Sequence, residues 1–120
     1  SYKPVDNNHT PLTQAQAESL KEIDKSLTEY MTSIISAIKS NEFKSSDEKI
    51  DQATKLVDLI TKIRKKHLKL IKKEPGSTRT NMLFMDILNE IKNLVLHVNN
   101  IYKSFRDFSE QNRFNKMKSF

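Results

Sequence analysis

Glycine occurs once in this chain, at Gly76, and proline three times, at Pro4, Pro11 and Pro75. A sequence so poor in turn formers has almost no means of making hairpins, so sheets are disfavoured and long helices remain. The apolar positions point the same way. Leu20, Ile23, Leu27, Tyr30, Ile34 and Ile38 recur three or four residues apart and predict a helix from about Thr13 to Ser40. The stretch 41–46 breaks that period, and Ser45 with Glu48 three residues later forms the signature of a capping box at the start of a second helix. Ile50, Ala53, Val57, Ile60, Ile63, His67 and Ile71, with Leu59 alongside, carry its apolar face until the EPGS run at 74–77 stops it.

Ser77 or Thr78 is placed to cap a third helix running to about Ser109. Its apolar face comprises Phe84, Ile87, Leu88, Ile91, Leu94, Val95, Val98, Ile101, Tyr102 and Phe105, and Leu94 is expected at the centre of the core. Three helices of similar length on short turns must run up, down and up, closing their stripes around one core. The expected fold is therefore all-α, an antiparallel three-helix bundle over residues 12–110. Residues 1–11 read as a linker or tail, and the basic stretch 111–120 as a C-terminal tail that frays.

A chain of 120 residues supports one real core and not two. It contains no cysteine, which excludes disulfides and thiolate metal sites. No apolar run approaches the roughly 20 residues needed to span a bilayer, and no secretory signal is visible. The chain begins at Ser1 rather than Met, as expected of a piece of a longer polypeptide. The net charge of +6 is unevenly placed: seven lysines face ten carboxylates in residues 1–60, whereas fourteen Lys and Arg face five in residues 61–120. A basic second half of that kind attracts anionic partners.

The residues able to carry chemistry are few. Asp86, Glu90, Asn93 and His97 share one flank of the third helix. Glu90 and His97 are nonetheless about 10 Å apart along the axis, too far for one ion to bridge the set. That flank reads as the polar margin of a bundle, with His97 hydrogen-bonded at its edge. Asp47 and Asp51 fall in the first turns of the second helix, where carboxylates suit the helix dipole. No nucleophile stands beside a base, and no glycine-rich phosphate loop exists, so no enzymatic function is expected.

The stretch KIRKKHLKLIKK, residues 62–73, is the strongest charge feature. Lys62, Lys65, Lys66, Lys69, Lys72 and Lys73 recur on one stripe opposite the apolar face. Two readings stand: a solvated face near a helix C-terminus, where cations are favoured, or a contact with anionic lipid or an acidic partner. Nucleic acid is not expected, because no aromatic platform interleaves with the lysines. Met82, Met85 and Leu96 lie off the core stripe and mark either lone exposed apolar residues or a subunit contact.

The segment IRKKHLKLIKKEPGSTRTNMLFMDILNEIKNLVLHVNNI resembles the second and third helices of PhoU-like domains. These pair a basic "R..H...L" helix with one of the form "LDLLRDLERIGDHAVNI". Asp86, Leu88, His97, Asn100 and Ile101 match as they stand, and Ile87, Glu90 and Leu94 match in kind. The resemblance implies a three-helix domain on the cytoplasmic side of a sodium/phosphate cotransporter-like membrane protein, acting as a regulatory or accessory unit. The partner it implies is the membrane-embedded transporter region of the same chain, to which the lysine stripe adds an anionic lipid surface and the off-stripe apolar residues, read as a subunit contact, a second copy of the chain. The metal-binding acids of the family, E-x-x-x-D, correspond here to Lys92 and Leu96, so neither a metal nor another cofactor is expected. Two alternatives remain open: a stand-alone PhoU-like metal-binding regulator of phosphate uptake, and a helical interaction scaffold unrelated to phosphate.

Overall fold

The computed structural model describes residues 12–118, so the expected linker over 1–11 lies outside the described residues. Within this range the chain forms three helices and no strand: α1 over Gln14–Ser40, α2 over Ser46–Lys73 and α3 over Thr78–Lys118. Each helix packs on the other two, and together they form a helical bundle.

The helix ends follow from local hydrogen bonding. Thr13 caps α1 with a full capping box: its Oγ1 accepts from the Gln16 amide at 3.1 Å, and Gln16 Oε1 accepts from the Thr13 amide at 3.0 Å. At the other end, Asn41 adopts the left-handed conformation (φ 56°). Its amide bonds Ile38 O at 3.2 Å while that of Glu42 bonds Ala37 O at 2.9 Å, a Schellman closure with asparagine in the usual place of glycine. The start of α2 differs from expectation. Ser45 precedes the helix but its side chain makes no capping bond, so the Ser45–Glu48 box does not form. The backbone carbonyl of Ser45 accepts from Glu48 and Lys49 instead, and Asp47 and Glu48 supply negative charge to the first turn. The turn after α2 uses Gly76 at φ +58°, and Ser77 Oγ then accepts from the Thr80 amide at 3.1 Å to cap α3.

The core is built from Ile23, Tyr30, Ile34 and Ala37 of α1, Ala53, Leu56, Ile60 and Ile63 of α2, and Phe84, Leu88, Val95, Val98 and Tyr102 of α3. Leu56 belongs to it although the apolar period of α2 did not select it. The larger corrections concern α3. Leu94, expected at the centre of the core, is 42% exposed, and Ile101 and Phe105 are 40% and 46% exposed. Each turn of about 100° carries the chain from an outer apolar position to a buried one: Leu94 precedes buried Val95, and Ile101 precedes buried Tyr102. The apolar arc of α3 is thus wider than the bundle covers, and the buried edge is the one a residue later. Helix α3 also continues through residues expected to fray, reaching Lys118 with 41 residues, about 61 Å at 1.5 Å per residue.

This assignment of the core is testable by truncation. Leu88, 1% exposed, should lose about 2–5 kcal/mol of stability on Leu88→Ala. Leu94→Ala, measured in dilute solution, should cost less than half as much. Denaturant unfolding of the two variants that reversed this order would place the buried edge of α3 one residue earlier.

Candidate functional site

Two surfaces and one buried cluster concentrate the polar chemistry. The cluster centres on His67, which is 3% exposed on the inner face of α2. Its Nε2 lies 3.0 Å from the Oγ of buried Ser19 on α1, and its ring sits against Phe84 of α3, centroids 4.6 Å apart and tilted by 60°. One side chain therefore touches all three helices. Nearby, buried Gln16 donates through Nε2 to Asn81 Oδ1 at 3.1 Å, and Asn81 Nδ2 donates to Pro75 O at 2.7 Å, tying the first turn of α1 to α3 and to the turn before it. Burial first, and the neighbouring Lys66 charge second, push the His67 pKa below its ordinary value, so the ring is held neutral. Gln16, His67 and Asn81 line a cleft of about 790 Å³ with Leu70, Ile71, Lys73 and the turn at 74–77. Ser19 and His67 thus stand as a hydroxyl–imidazole pair, a juxtaposition the sequence alone does not suggest, but both are buried and each is the other's hydrogen-bond partner.

The second feature is the lysine face. Lys62, Lys65, Lys66, Lys69, Lys72 and Lys73 are all exposed on α2. Because Ile60, Ile63 and His67 turn inward, the lysines at three- and four-residue spacings turn outward together. Among the described residues none of the six has an ion-pair partner; the pairs present are Lys55–Asp51 at 3.1 Å and Arg106–Asp107 at 3.0 Å. The stripe is therefore a row of uncompensated positive charge on a rigid rod.

The acidic flank of α3 is not assembled into a site. Asp86, Glu90, Asn93 and His97 are all exposed, and His97 is not held at a bundle edge by a hydrogen bond, contrary to its expected place. Among the described residues no group of three or more His, Asp or Glu side chains is placed to hold a metal ion. Lys92, at a position where the resemblance implies an acid, is half-buried and lines a cleft of about 310 Å³ with Arg64 of α2 and Asp86, so two cations there face a single carboxylate. Met82 and Leu96 are 63% and 44% exposed, whereas Met85 is half-buried against the core and is not the lone exposed residue that its wheel position suggested. Sequence reasoning placed His67 on the apolar face but missed its bond to Ser19. Only the serine at 19, on the flank of a leucine and isoleucine stripe, hinted at a polar partner.

Comparison with protein-family models, with curated proteins and with solved structures returns no match to this chain. Among the described residues no helix is long and apolar enough to cross a membrane.

The His67 environment sets a pH dependence. Its folded pKa lies below the unfolded value of about 6.5, so the unfolded chain binds the proton more readily. The contribution is fully present above that value and is lost as pH falls towards the folded pKa. Unfolding free energy at fixed chain concentration should therefore decline from about pH 6.5 to about pH 5.5, before most carboxylates titrate. His67→Leu should flatten this interval. An equal slope in the variant would assign the effect to other groups.

Proposed function

We propose that this chain is a non-catalytic, PhoU-like domain whose three helices run up, down and up. In this reading it is the regulatory or accessory unit on the cytoplasmic side of a sodium/phosphate cotransporter-like membrane protein, connected to the transporter region of the same polypeptide. It works by electrostatic docking, and the lysine face of α2 meets anionic headgroups at the membrane surface. The observation that carries this reading is the set of six exposed lysines on one helix face with no carboxylate partner among the described residues. Two contacts support the helix order: Ser19 near the start of α1 meets His67 towards the end of α2, and Gln16 meets Asn81 in the first turns of α3. The assignment to phosphate transport rests on the resemblance of the α2–α3 segment.

Physical scale makes the docking step reasonable. Each lysine close to an anionic membrane gains about 1 kcal/mol, so a row of six is enough for measurable binding even when only some reach the headgroups. The attraction is limited to the Debye length, about 8 Å at physiological ionic strength, so it must weaken steeply with salt. Co-sedimentation with phosphatidylserine-containing vesicles at low salt should capture the chain, neutral vesicles should not, and high salt should release it. Changing Lys65, Lys66, Lys69 and Lys72 together to Gln should reduce capture at least tenfold while leaving the helical circular dichroism intact. Capture that is absent at low salt, or unchanged in the four-site variant, would refute membrane docking by this face.

A further inference from the structure

The outer apolar edge of α3 is a second candidate surface, distinct from the lysine face. Leu83, Leu94, Ile101, Phe105 and Phe108 are 40%, 42%, 40%, 46% and 64% exposed. Advancing about 100° per residue places all five within one narrow sector, beside the half-buried Ile87 and Ile91. The line runs from position 83 to 108, about 38 Å at 1.5 Å per residue. It faces away from α2, because α2 packs on the other flank of α3, where Met85, Asn89 and Lys92 meet Ile60, Thr61 and Arg64. The five side chains leave on the order of 500 Å² of apolar surface open, at the upper end of what a monomeric protein ordinarily leaves contiguous.

We infer that this edge of α3 is the interface with a second copy of the same chain, packed with the two α3 helices antiparallel about Leu94. Area and charge both favour that occupant. Pairing the edge with itself across a two-fold axis buries up to about 1,000 Å² from these residues, and the flanking side chains bring the contact into the range of a specific dimer. The polar positions within the edge select the direction. Glu90 and His97 are both exposed and interrupt the apolar line on either side of Leu94. Parallel pairing sets Glu90 against Glu90, an unfavourable contact of like charges. Antiparallel pairing about Leu94 instead brings the His97 imidazole of each copy within reach of the Glu90 carboxylate of the other, twice by symmetry. It also sets Ile101 over Ile87 and Phe105 over Leu83, and it opposes the helix dipoles.

The inference does not rest on the membrane-docking proposal, because the lysine face lies on α2 and stays open in the dimer. The 120-residue chain should sediment as twice its 14.0 kDa mass in velocity ultracentrifugation, with the dimer fraction rising from micromolar to near-millimolar concentration. Leu94→Lys should shift the chain to monomer with its helical circular dichroism retained, whereas Leu96→Lys, on another face, should leave the dimer intact. Since the chain contains no cysteine, a single Leu94→Cys can oxidise only to a second copy, by loss of two thiol hydrogens to an added mild oxidant such as copper phenanthroline with oxygen. That variant should cross-link readily, and Leu83→Cys should not, because its counterpart lies at the far end of an antiparallel pair. A chain that stays monomeric at the highest concentration overturns the inference. So does a dimer that survives Leu94→Lys but not Leu96→Lys, rapid cross-linking at position 83, or a monomer in which position 94 becomes shielded only when vesicles are added.

Discussion

The bundle depends on a single buried histidine. His67 accepts or donates at 3.0 Å to Ser19 on α1, lies on α2, and places its ring against Phe84 on α3. An imidazole in this position costs desolvation, and a neutral tautomer with one nitrogen bonded to a hydroxyl and the ring tilted against an aromatic offsets part of that cost. The Gln16–Asn81 bond, together with the capping box that holds Gln16 in place, lies beside it. Polar bonds at one end of the bundle thus join helices whose other core contacts are mainly apolar and non-directional. Further along, Tyr30 and Tyr102 fill the core, and burial pushes the Tyr30 hydroxyl up to about 12, with the adjacent Tyr102 adding to the shift. Both phenols therefore stay neutral across the physiological range.

Much of this architecture is legible in the residue pattern. The three- and four-residue spacing of Ile23, Tyr30 and Ile34 locates α1, and the EPGS turn separates α2 from α3 because proline ends the hydrogen-bond ladder and Gly76 accepts a positive φ. What the pattern does not resolve is which edge of a wide apolar arc turns inward. Helix α3 has apolar side chains at neighbouring positions such as 83 and 84, 94 and 95, and 101 and 102, so two registers differing by one residue satisfy the same periodicity. Tertiary packing settles the choice in favour of Phe84, Val95 and Tyr102, each 0% exposed. The His67–Ser19 bond was hidden for a different reason: it joins residues 48 apart, and a serine on the flank of the α1 stripe does not tell which helix supplies its partner. The capping box expected at Ser45 is absent because the Glu48 amide that its hydroxyl would cap is taken by the Ser45 carbonyl instead.

The candidate surfaces divide in the same manner. The lysine stripe follows directly from helix geometry, since residues opposite Ile63 and His67 must face solvent. The outer edge of α3 emerges only after folding, as apolar surface left over once α1 and α2 have covered what they can. Unpaired positive charge thus lies on one helix and an uncovered apolar seam on another. The Ser19–His67 and Gln16–Asn81 bonds join helices, whereas the buried Tyr30 and Tyr102 hydroxyls and Asn99 Oδ1 have no hydrogen-bond partner among the described residues, and the exposed carboxylates on α3 stand apart from one another.

The claim beneath this account is that the Ser19–His67 contact couples α1 to α2, and a double-mutant cycle measures it directly. Ser19→Ala, His67→Leu and the double variant would each be unfolded in urea above pH 7, where the imidazole is neutral. The contact predicts a coupling of about 1 kcal/mol, with Ser19→Ala costing markedly less once His67 is gone. Costs that simply add, within about 0.5 kcal/mol, would contradict the role assigned to this contact and leave the pairing of α1 with α2 to apolar packing alone.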